Sequence, residues 1–142
     1  PFFRRVRLNH EFAREELMDA PLYAALPASD IARAKEWYQQ CLGLTPTEES
    51  PGGGLYYETG GSKFTVYPSA FAGTNQATAA GWFVEDFDAA IAELRSNGVT
   101  FEEYDLGDDL KTVDGVATAP DGNRIAWFKD SEGNILGIGE EM

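Results

Sequence analysis

Apolar positions along the first half of the chain follow two different spacings. Residues 22–26 form a short apolar run that predicts a strand. Apolar side chains then recur every three or four residues, which predicts a helix built on Ile31, Ala34, Trp37, Tyr38, Cys41 and Leu42. Two further strands are expected over 55–59 and 63–67, because a Gly-Gly-Ser turn separates these alternating segments.

The second half of the chain repeats this order. A strand over 81–84 precedes a helix with an apolar stripe, and later strands are predicted over 99–104, 113–119, 124–128 and 135–138. The predicted helices start at Ser29 or Asp30 and at Glu85 or Asp86, about 56 residues apart. They end at Gly43 and Gly98, about 55 residues apart. Equal order at nearly equal spacing indicates an internal duplication, in which each unit needs the other to cover its sheet.

Composition narrows the classes of function. The chain has 142 residues, with 43 % hydrophobic and 13 % aromatic content, which suits a compact core. Its formal net charge is −13, which disfavours nucleic acids and anionic membranes as partners and is compatible with a cationic ligand. The sequence contains no run of about 18 apolar residues, so no membrane span is predicted. The single cysteine, Cys41, fits a reducing cytoplasm, where we expect the protein to reside.

Two local motifs carry a family resemblance. Asp30 is followed by Trp37-Tyr38 and then by Leu42-Gly43-Leu44, and the tail contains the turn Asp130-Ser131-Glu132-Gly133-Asn134. With these motifs, residues 20–140 resemble the vicinal oxygen chelate superfamily, which includes glyoxalases, bleomycin-resistance proteins and extradiol dioxygenases. Ser131 stands where that family usually has proline. These motifs concern turns and helix packing, so they carry no information on chemistry.

The resemblance implies an α+β fold. Two βαβββ modules are expected to pair into curved, mostly antiparallel sheets around a cleft, with the helices outside. The chain then divides into an N-terminal leader or arm over 1–19 and a glyoxalase-like domain over 20–142, made of modules 20–72 and 77–142. Because members of this family often dimerise, a homodimer is expected.

The resemblance also implies where a metal would bind. Metal-using members place a His or Gln before each helix and a Glu on the last strand of each module. The corresponding positions hold Tyr23, Ala79 and Gly137, and the fourth falls within 65–67, which has no carboxylate. The only histidine, His10, lies in the leader. We therefore predict no metal ligands, no cofactor and no catalytic residues of the usual kinds.

Strand alternation and the resemblance together suggest a ligand site walled by aromatic side chains. Small residues give it room, and the predicted ligand-binding residues are Tyr23, Ala25, Tyr56, Phe64, Tyr67, Phe83, Trp127 and Gly137. The preferred hypothesis is a metal-free protein that binds a small cationic or aromatic molecule. Two alternatives stay open at this point: a metal-dependent lyase, isomerase or dioxygenase with unusual ligands, and a non-enzymatic module that binds a partner.

Overall fold

The computed structural model describes residues 16–105 and 107–140. Residues 16–19 are helical and lead into the first strand. The first half then contains β1 (Ala24–Ala28), α1 (Ile31–Trp37), a π-helical turn (Tyr38–Leu42), β2 (Glu48–Glu49), β3 (Leu55–Thr59) and β4 (Ser62–Pro68). The second half contains β5 (Thr78–Val84), α2 (Phe87–Ser96), a 3-10 turn (Asp108–Leu110), β6 (Thr112–Val113), β7 (Val116–Thr118), β8 (Arg124–Lys129) and β9 (Ile135–Glu140).

The strands form two open sheets with the orders β1-β4-β3-β2 and β5-β9-β8-β7-β6. In each sheet the strand that precedes the helix pairs in parallel with the last strand, and the remaining pairs are antiparallel. Parallel pairing requires a crossover, which the intervening helix begins in both halves. The predicted α+β class, with mostly antiparallel sheets in two similar units, is confirmed.

Both helix starts lie where the sequence predicts them. The side chain of Asp30 accepts a hydrogen bond from the backbone N–H of Arg33 at 3.0 Å. Asp86 does the same for the N–H of Ala89 at 3.1 Å. Each aspartate thereby satisfies a helix N–H that has no partner within the helix, the usual role of an N-cap.

Counted from its capping aspartate, the first helix reaches its terminal glycine one residue later than the second helix does. Its last segment, Tyr38–Leu42, is a π-helical turn, which holds one residue more than an α-turn, and Gly43 follows at φ +70°. The two helix ends meet: the Asn97 side chain donates to the carbonyl of Cys41 at 3.1 Å, and the Cys41 thiol lies 3.5 Å from the carbonyl of Asn97. Burial raises the pKa of that thiol.

Two predicted strands are wrong. Over 99–104 the chain forms only an isolated bridge between Phe101 and Phe128 and then runs as a loop. The segment 113–119 is a hairpin, β6 and β7, because Asp114 and Gly115 adopt positive φ angles of 55° and 78°. An Asp-Gly pair favours this tight turn between short strands, and the sequence interpretation overlooked it. The short edge strand β2 was not predicted at all.

The core lies between the sheets and the helices. Leu26 and Val66 of the first sheet, Phe87 of α2, and Phe128 and Leu136 of the second sheet are almost completely buried in one cluster. This arrangement leaves the opposite face of each sheet to be covered separately. On the second sheet, that face carries a small cluster of Ala117, Trp127 and Ile135, against which Tyr104, Leu110 and Ile125 pack.

The division into a leader over 1–19 and a domain over 20–142 stays a prediction. His10 and most of the leader lie outside the described residues. Among the helices that are described, none is both long and apolar enough to cross a membrane.

Candidate functional site

One face of the first sheet is open to solvent and carries three tyrosines. Strand register places Ala25 opposite Thr65 and Thr65 opposite Tyr56, so these side chains share a face. Tyr67 lies two residues further along β4, and Tyr23 directly precedes β1. Tyr23, Tyr56 and Tyr67 are 62, 45 and 40 % exposed. Because each ring combines apolar area with a polar hydroxyl, this face suits a flat organic molecule.

Two hollows meet at the end of this face. The lateral hollow, of about 510 Å³, lies against Tyr23, Tyr56 and Thr65. The inter-sheet hollow, of about 590 Å³, lies between β1 and β5. Both hollows are lined by Leu22, Tyr23, Ser62, Lys63 and Phe64. Each volume falls in the range of small-molecule sites, and the shared lining makes them one candidate site.

The inter-sheet hollow exists because β1 and β5 do not pair. They belong to different sheets and both occupy sheet edges. On β5, Ala79 and Gly81 line the hollow with little side-chain volume, while Phe83 adds an aromatic wall that is 64 % exposed. Gly81 cannot be replaced easily, since a Cβ there would lie 2.9 Å from the carbonyl oxygen of Gly137. Close approach of β5 and β9 thus keeps this wall small.

The lining of the two hollows is nearly free of charge. Among the described residues that line either one, Lys63 is the only charged side chain. Its ammonium lies 3.7 Å from the Glu58 carboxylate, and both side chains are more than half exposed. Register explains the pair, since Glu58 stands directly opposite Lys63 on neighbouring strands. The hollows are otherwise lined by apolar and aromatic side chains and by the hydroxyl-bearing residues Tyr23, Tyr56, Thr59, Ser62 and Thr65.

The structure distributes the predicted ligand-binding residues over two places. Tyr23, Tyr56, Phe64 and Phe83 line the hollows, and Ala25 and Tyr67 lie on the open face beside them. Trp127 and Gly137 lie on the second sheet, where they stand opposite each other in register. Trp127 is 8 % exposed and packs against Tyr104 with ring centroids 5.5 Å apart. That all eight contact one ligand stays a prediction.

Sequence reasoning missed Lys63, Ser62 and Leu22 as lining residues. Lys63 alternates with Thr65 and Tyr67 along β4, so the same period-two pattern that selected Tyr67 also identifies the lysine. Leu22 was expected inside the first strand, yet it precedes β1 and is 94 % exposed. The strand starts two residues later than predicted, which leaves Leu22 and Tyr23 at the mouth of the hollows.

The residues at the implied metal positions do not fit a divalent metal. Ala79 and Gly137 have no donor atoms in their side chains, and Tyr23 is largely exposed to solvent. A Cβ at Gly137 would lie 3.6 Å from the Trp127 ring, an ordinary van der Waals distance, so the indole is the nearest neighbour of that position. Within the described part of the chain, no group of three or more His, Cys, Asp or Glu side chains is placed to hold a metal ion.

A buried polar network joins the second half to the first helix. The Tyr38 hydroxyl donates to Asp130 at 2.6 Å, and Asp130 also accepts from the backbone N–H groups of Glu132 and Asn134 at 2.9 Å. Asn134 in turn donates to the carbonyl of Pro27 at 2.9 Å. Burial, followed by the charge of Asp130 and its hydrogen bond, raises the pKa of Tyr38. Every bond in this set crosses from the β8–β9 turn to the first half or shapes that turn.

Glu132 extends the same network. Its carboxylate accepts from the Arg33 guanidinium at 2.8 and 3.0 Å, from the Asp30 N–H at 2.9 Å and from the Ser131 hydroxyl at 2.8 Å. Burial alone would raise its pKa, but these hydrogen bonds and the Arg33 charge outweigh burial and lower the pKa to about 2. From the sequence, residues 130–134 were predicted only as a turn. In the structure, the carboxylates of Asp130 and Glu132 in this turn also bind the first helical segment and connect it to the second sheet.

Comparisons with known proteins agree with this geometry. A family model described as the Glyoxalase/Bleomycin resistance protein/Dioxygenase superfamily matches residues 20–136. A search of curated proteins finds no match.

Among solved structures, a glyoxalase/bleomycin resistance protein from Catenulispora acidiphila is 21 % identical, with a TM-score of 0.64, over 87 % of this chain and 100 % of that one. A bleomycin resistance determinant encoded on the transposon Tn5 is 14 % identical, with a TM-score of 0.65, over 86 and 98 %. A lactoylglutathione lyase from Agrobacterium tumefaciens is 17 % identical, with a TM-score of 0.64, over 86 and 93 %.

At these identities, the structural similarities show the shared fold alone. The family model covers most of the chain and agrees with the paired strand–helix–strand units described above. The chain therefore belongs to the glyoxalase, bleomycin resistance protein and dioxygenase superfamily.

Proposed function

We propose that this protein binds a small, flat organic molecule in the lateral and inter-sheet hollows and releases it unchanged. The observation that carries this proposal is the joining of two aromatic hollows, of about 510 and 590 Å³, at Tyr23 and Phe64. Aromatic walls with small residues between them favour a planar ligand, because stacking needs both ring area and space. The overall negative charge and the tyrosines are the reasons for considering a cationic as well as a neutral aromatic ligand.

Binding without a side-chain metal site is part of this proposal. The positions implied by the family offer an exposed phenol, an alanine and a glycine, which cannot replace imidazole and carboxylate ligands. The described lining residues also include no carboxylate and no imidazole for general acid–base work. Binding therefore has more support than transformation of the ligand.

A thermal-shift screen of planar aromatic compounds tests the proposal, since a ligand that binds the folded state raises the melting temperature. We expect hits whose shift disappears in Tyr23→Ala and Tyr56→Ala. The matched control is Phe71→Ala, because Phe71 is 77 % exposed but lines neither hollow. Equal shifts in all three variants would place the ligand elsewhere and overturn the proposal.

The molecule is also proposed to be a homodimer that resides in the cytoplasm. Support for the dimer comes from large apolar side chains that the hollows do not use, such as Met18 and Val113, which are 81 and 71 % exposed and which a second copy would cover. Light scattering after gel filtration tests it: a mass near 31 kDa, twice the 15.6 kDa of one chain, is expected. Support for the cytoplasm is the lone, buried thiol of Cys41.

A further inference from the structure

The charge inside the hollows has the opposite sign to the charge of the molecule. The chain carries a net charge of −13, yet Lys63 is the only charged side chain among the described residues lining either hollow. Lys63 lines both hollows, next to Tyr23 and Phe64, so it lies where their volumes join. A ligand large enough to occupy both hollows would pass beside its ammonium group.

We infer that the ligand is an aromatic anion, of the class of a planar aromatic carboxylate, whose charged group binds Lys63. This inference rests on the proposed function and assigns the ligand a negative charge, in place of the cationic or neutral ligand that the net charge alone favours. The rings of Tyr23, Tyr56 and Phe83 would contact the apolar part, and the lysine would fix the orientation of the anionic end.

Lys63 is available for such a contact. Its distance to Glu58, 3.7 Å, exceeds that of a charge-assisted hydrogen bond, and the two side chains are 73 and 58 % exposed. An ion pair this open contributes little to stability, so a ligand anion can take the place of Glu58 at small cost. Glu58 itself lines neither the lateral nor the inter-sheet hollow. The Lys63 ammonium group is therefore the charge that a molecule bound in the hollows would contact.

Short-range and long-range charges act differently on such a ligand. The net negative charge slows the approach of anions from a distance, but salt screens charges that are separated by more than about 10 Å. Contact with Lys63 acts at a few ångströms, well within that screening length, so salt weakens it less than it weakens the long-range field. The preference of the site is therefore set by its lining rather than by the net charge.

The test uses three probes with one ring system and three charges. These are 2-naphthoate, the neutral 2-naphthalenemethanol and 2-naphthylmethylammonium, each titrated into the purified protein by calorimetry. We expect naphthoate to bind most tightly and the ammonium compound most weakly. The neutral alcohol measures the contribution of the ring alone.

Three variants locate the effect. Lys63→Met is expected to weaken naphthoate binding about five- to tenfold and to leave the alcohol unchanged. Glu58→Gln removes the competing carboxylate and is expected to tighten naphthoate binding. Lys129→Met is the matched control, because Lys129 is also an exposed strand lysine, 3.5 Å from Glu102, and lines neither hollow.

The possible results separate the inference from the proposed function. If all three probes bind, but the ammonium compound binds best or Lys63→Met acts no differently from Lys129→Met, the inference is wrong and the aromatic site remains. If none of the probes binds, the proposed function fails and the inference fails with it. Both are supported if naphthoate binds more weakly to Lys63→Met but not to Lys129→Met, and more tightly to Glu58→Gln.

Discussion

Two buried tyrosines, Tyr38 and Tyr57, have ring centroids 5.5 Å apart and differ in one hydrogen bond. The hydroxyl of Tyr38 donates to Asp130 at 2.6 Å. The hydroxyl of Tyr57 has no hydrogen-bond partner within the described part of the chain. Burial and the nearby charge of Glu49 raise the pKa of Tyr57 to about 12, so it stays neutral at ordinary pH. The pair therefore offers a direct comparison of a satisfied and an unsatisfied buried phenol.

Removing each hydroxyl should give different results. Tyr38→Phe leaves the buried Asp130 carboxylate without one donor and is expected to lower the free energy of unfolding by about 1–3 kcal/mol. Tyr57→Phe removes a polar atom that burial disfavours and is expected to be neutral or slightly stabilising. Urea denaturation measures both. Equal losses in the two variants would contradict the described network.

The carboxylate of Glu132 should make stability depend on acid. Its pKa of about 2 in the folded protein lies below that of an unfolded glutamate, near 4.5. Its contribution is therefore complete above about pH 4.5 and is lost as the pH falls towards 2. We expect a loss on the order of 2 kcal/mol after screening at the half-exposed Arg33 is taken into account. In Glu132→Gln, this part of the pH dependence should vanish; an unchanged acid profile would argue against the Arg33–Glu132 pair.

Sequence reasoning succeeded for residues whose role depends on local pattern. Each helix start was narrowed to two neighbouring residues, because capping is a contact between residues three apart, and the structure assigns the caps to Asp30 and Asp86. Sequence reasoning could not show that Glu132 binds Arg33, since these residues are 99 positions apart in the chain. Contacts of that kind depend on how the two halves pack, which no local pattern encodes.

At the scale of elements, the unequal helix lengths have a structural cause. The interval from Asp30 to Gly43 is one residue longer than that from Asp86 to Gly98, and the extra residue is taken up by the π-helical turn at Tyr38–Leu42. The sequence already contained this difference, as the offsets of about 56 and 55. It was not interpreted as an inserted residue, because a single-residue difference could equally have belonged to the loop.

The β8–β9 turn depends on a close approach between two glycines. A Cβ at Gly133 would lie 2.8 Å from the Cα of Gly73, and Gly133 also has φ +87°. Gly122 has a similar φ of +91° but no atom within 4 Å of the position of its Cβ. Both glycines therefore have a left-handed backbone conformation, but only at Gly133 would an added Cβ clash with another part of the chain.

Alanine at each glycine should separate these two effects. Gly122→Ala is expected to cost about 1 kcal/mol, from the left-handed backbone alone. Gly133→Ala is expected to cost about 2–4 kcal/mol, because the loop that joins β4 to β5 must also move. The comparison is made by chemical denaturation. Similar losses in the two variants would mean that the turn and this loop are not packed together.

The failed strands show where element prediction ended. Residues 99–104 are β-rich in sequence, but only Phe101 forms a bridge to the second sheet. Tyr104, at the end of this segment, packs on Trp127, and Leu110 packs on the same small cluster, so these apolar residues cover the sheet face instead of extending the sheet. A strand and a loop segment that packs over a sheet face can have the same composition, and only the tertiary arrangement distinguishes them.

On the scale of the whole molecule, the two halves are similar in topology and different in their exposed faces. The second sheet has its face covered around Trp127, whereas the first leaves Tyr23, Tyr56 and Tyr67 open. The duplication was visible in the sequence. Strand alternation was applied only in part, since the predicted site includes both Phe64 and Tyr67, which lie on opposite faces of β4. The difference in covering was not visible in the sequence. That Trp127 and the open tyrosines contact the same ligand stays a prediction.

This asymmetry also bears on attempts to build a metal site. The double variant Tyr23→His plus Gly137→Glu is expected to bind zinc no more tightly than millimolar, because two of the four implied positions would still lack donors. Calorimetric titration with zinc checks this, and micromolar binding would contradict it.

The most direct test of the account is a calorimetric titration of the purified protein with 2-naphthoate, with and without a metal chelator. We expect the same affinity in both conditions and a clear loss of affinity in Tyr56→Ala, because the aromatic hollows supply the contacts. Binding that the chelator abolishes and zinc restores would show that an ion holds the ligand, and the central claim would then be wrong.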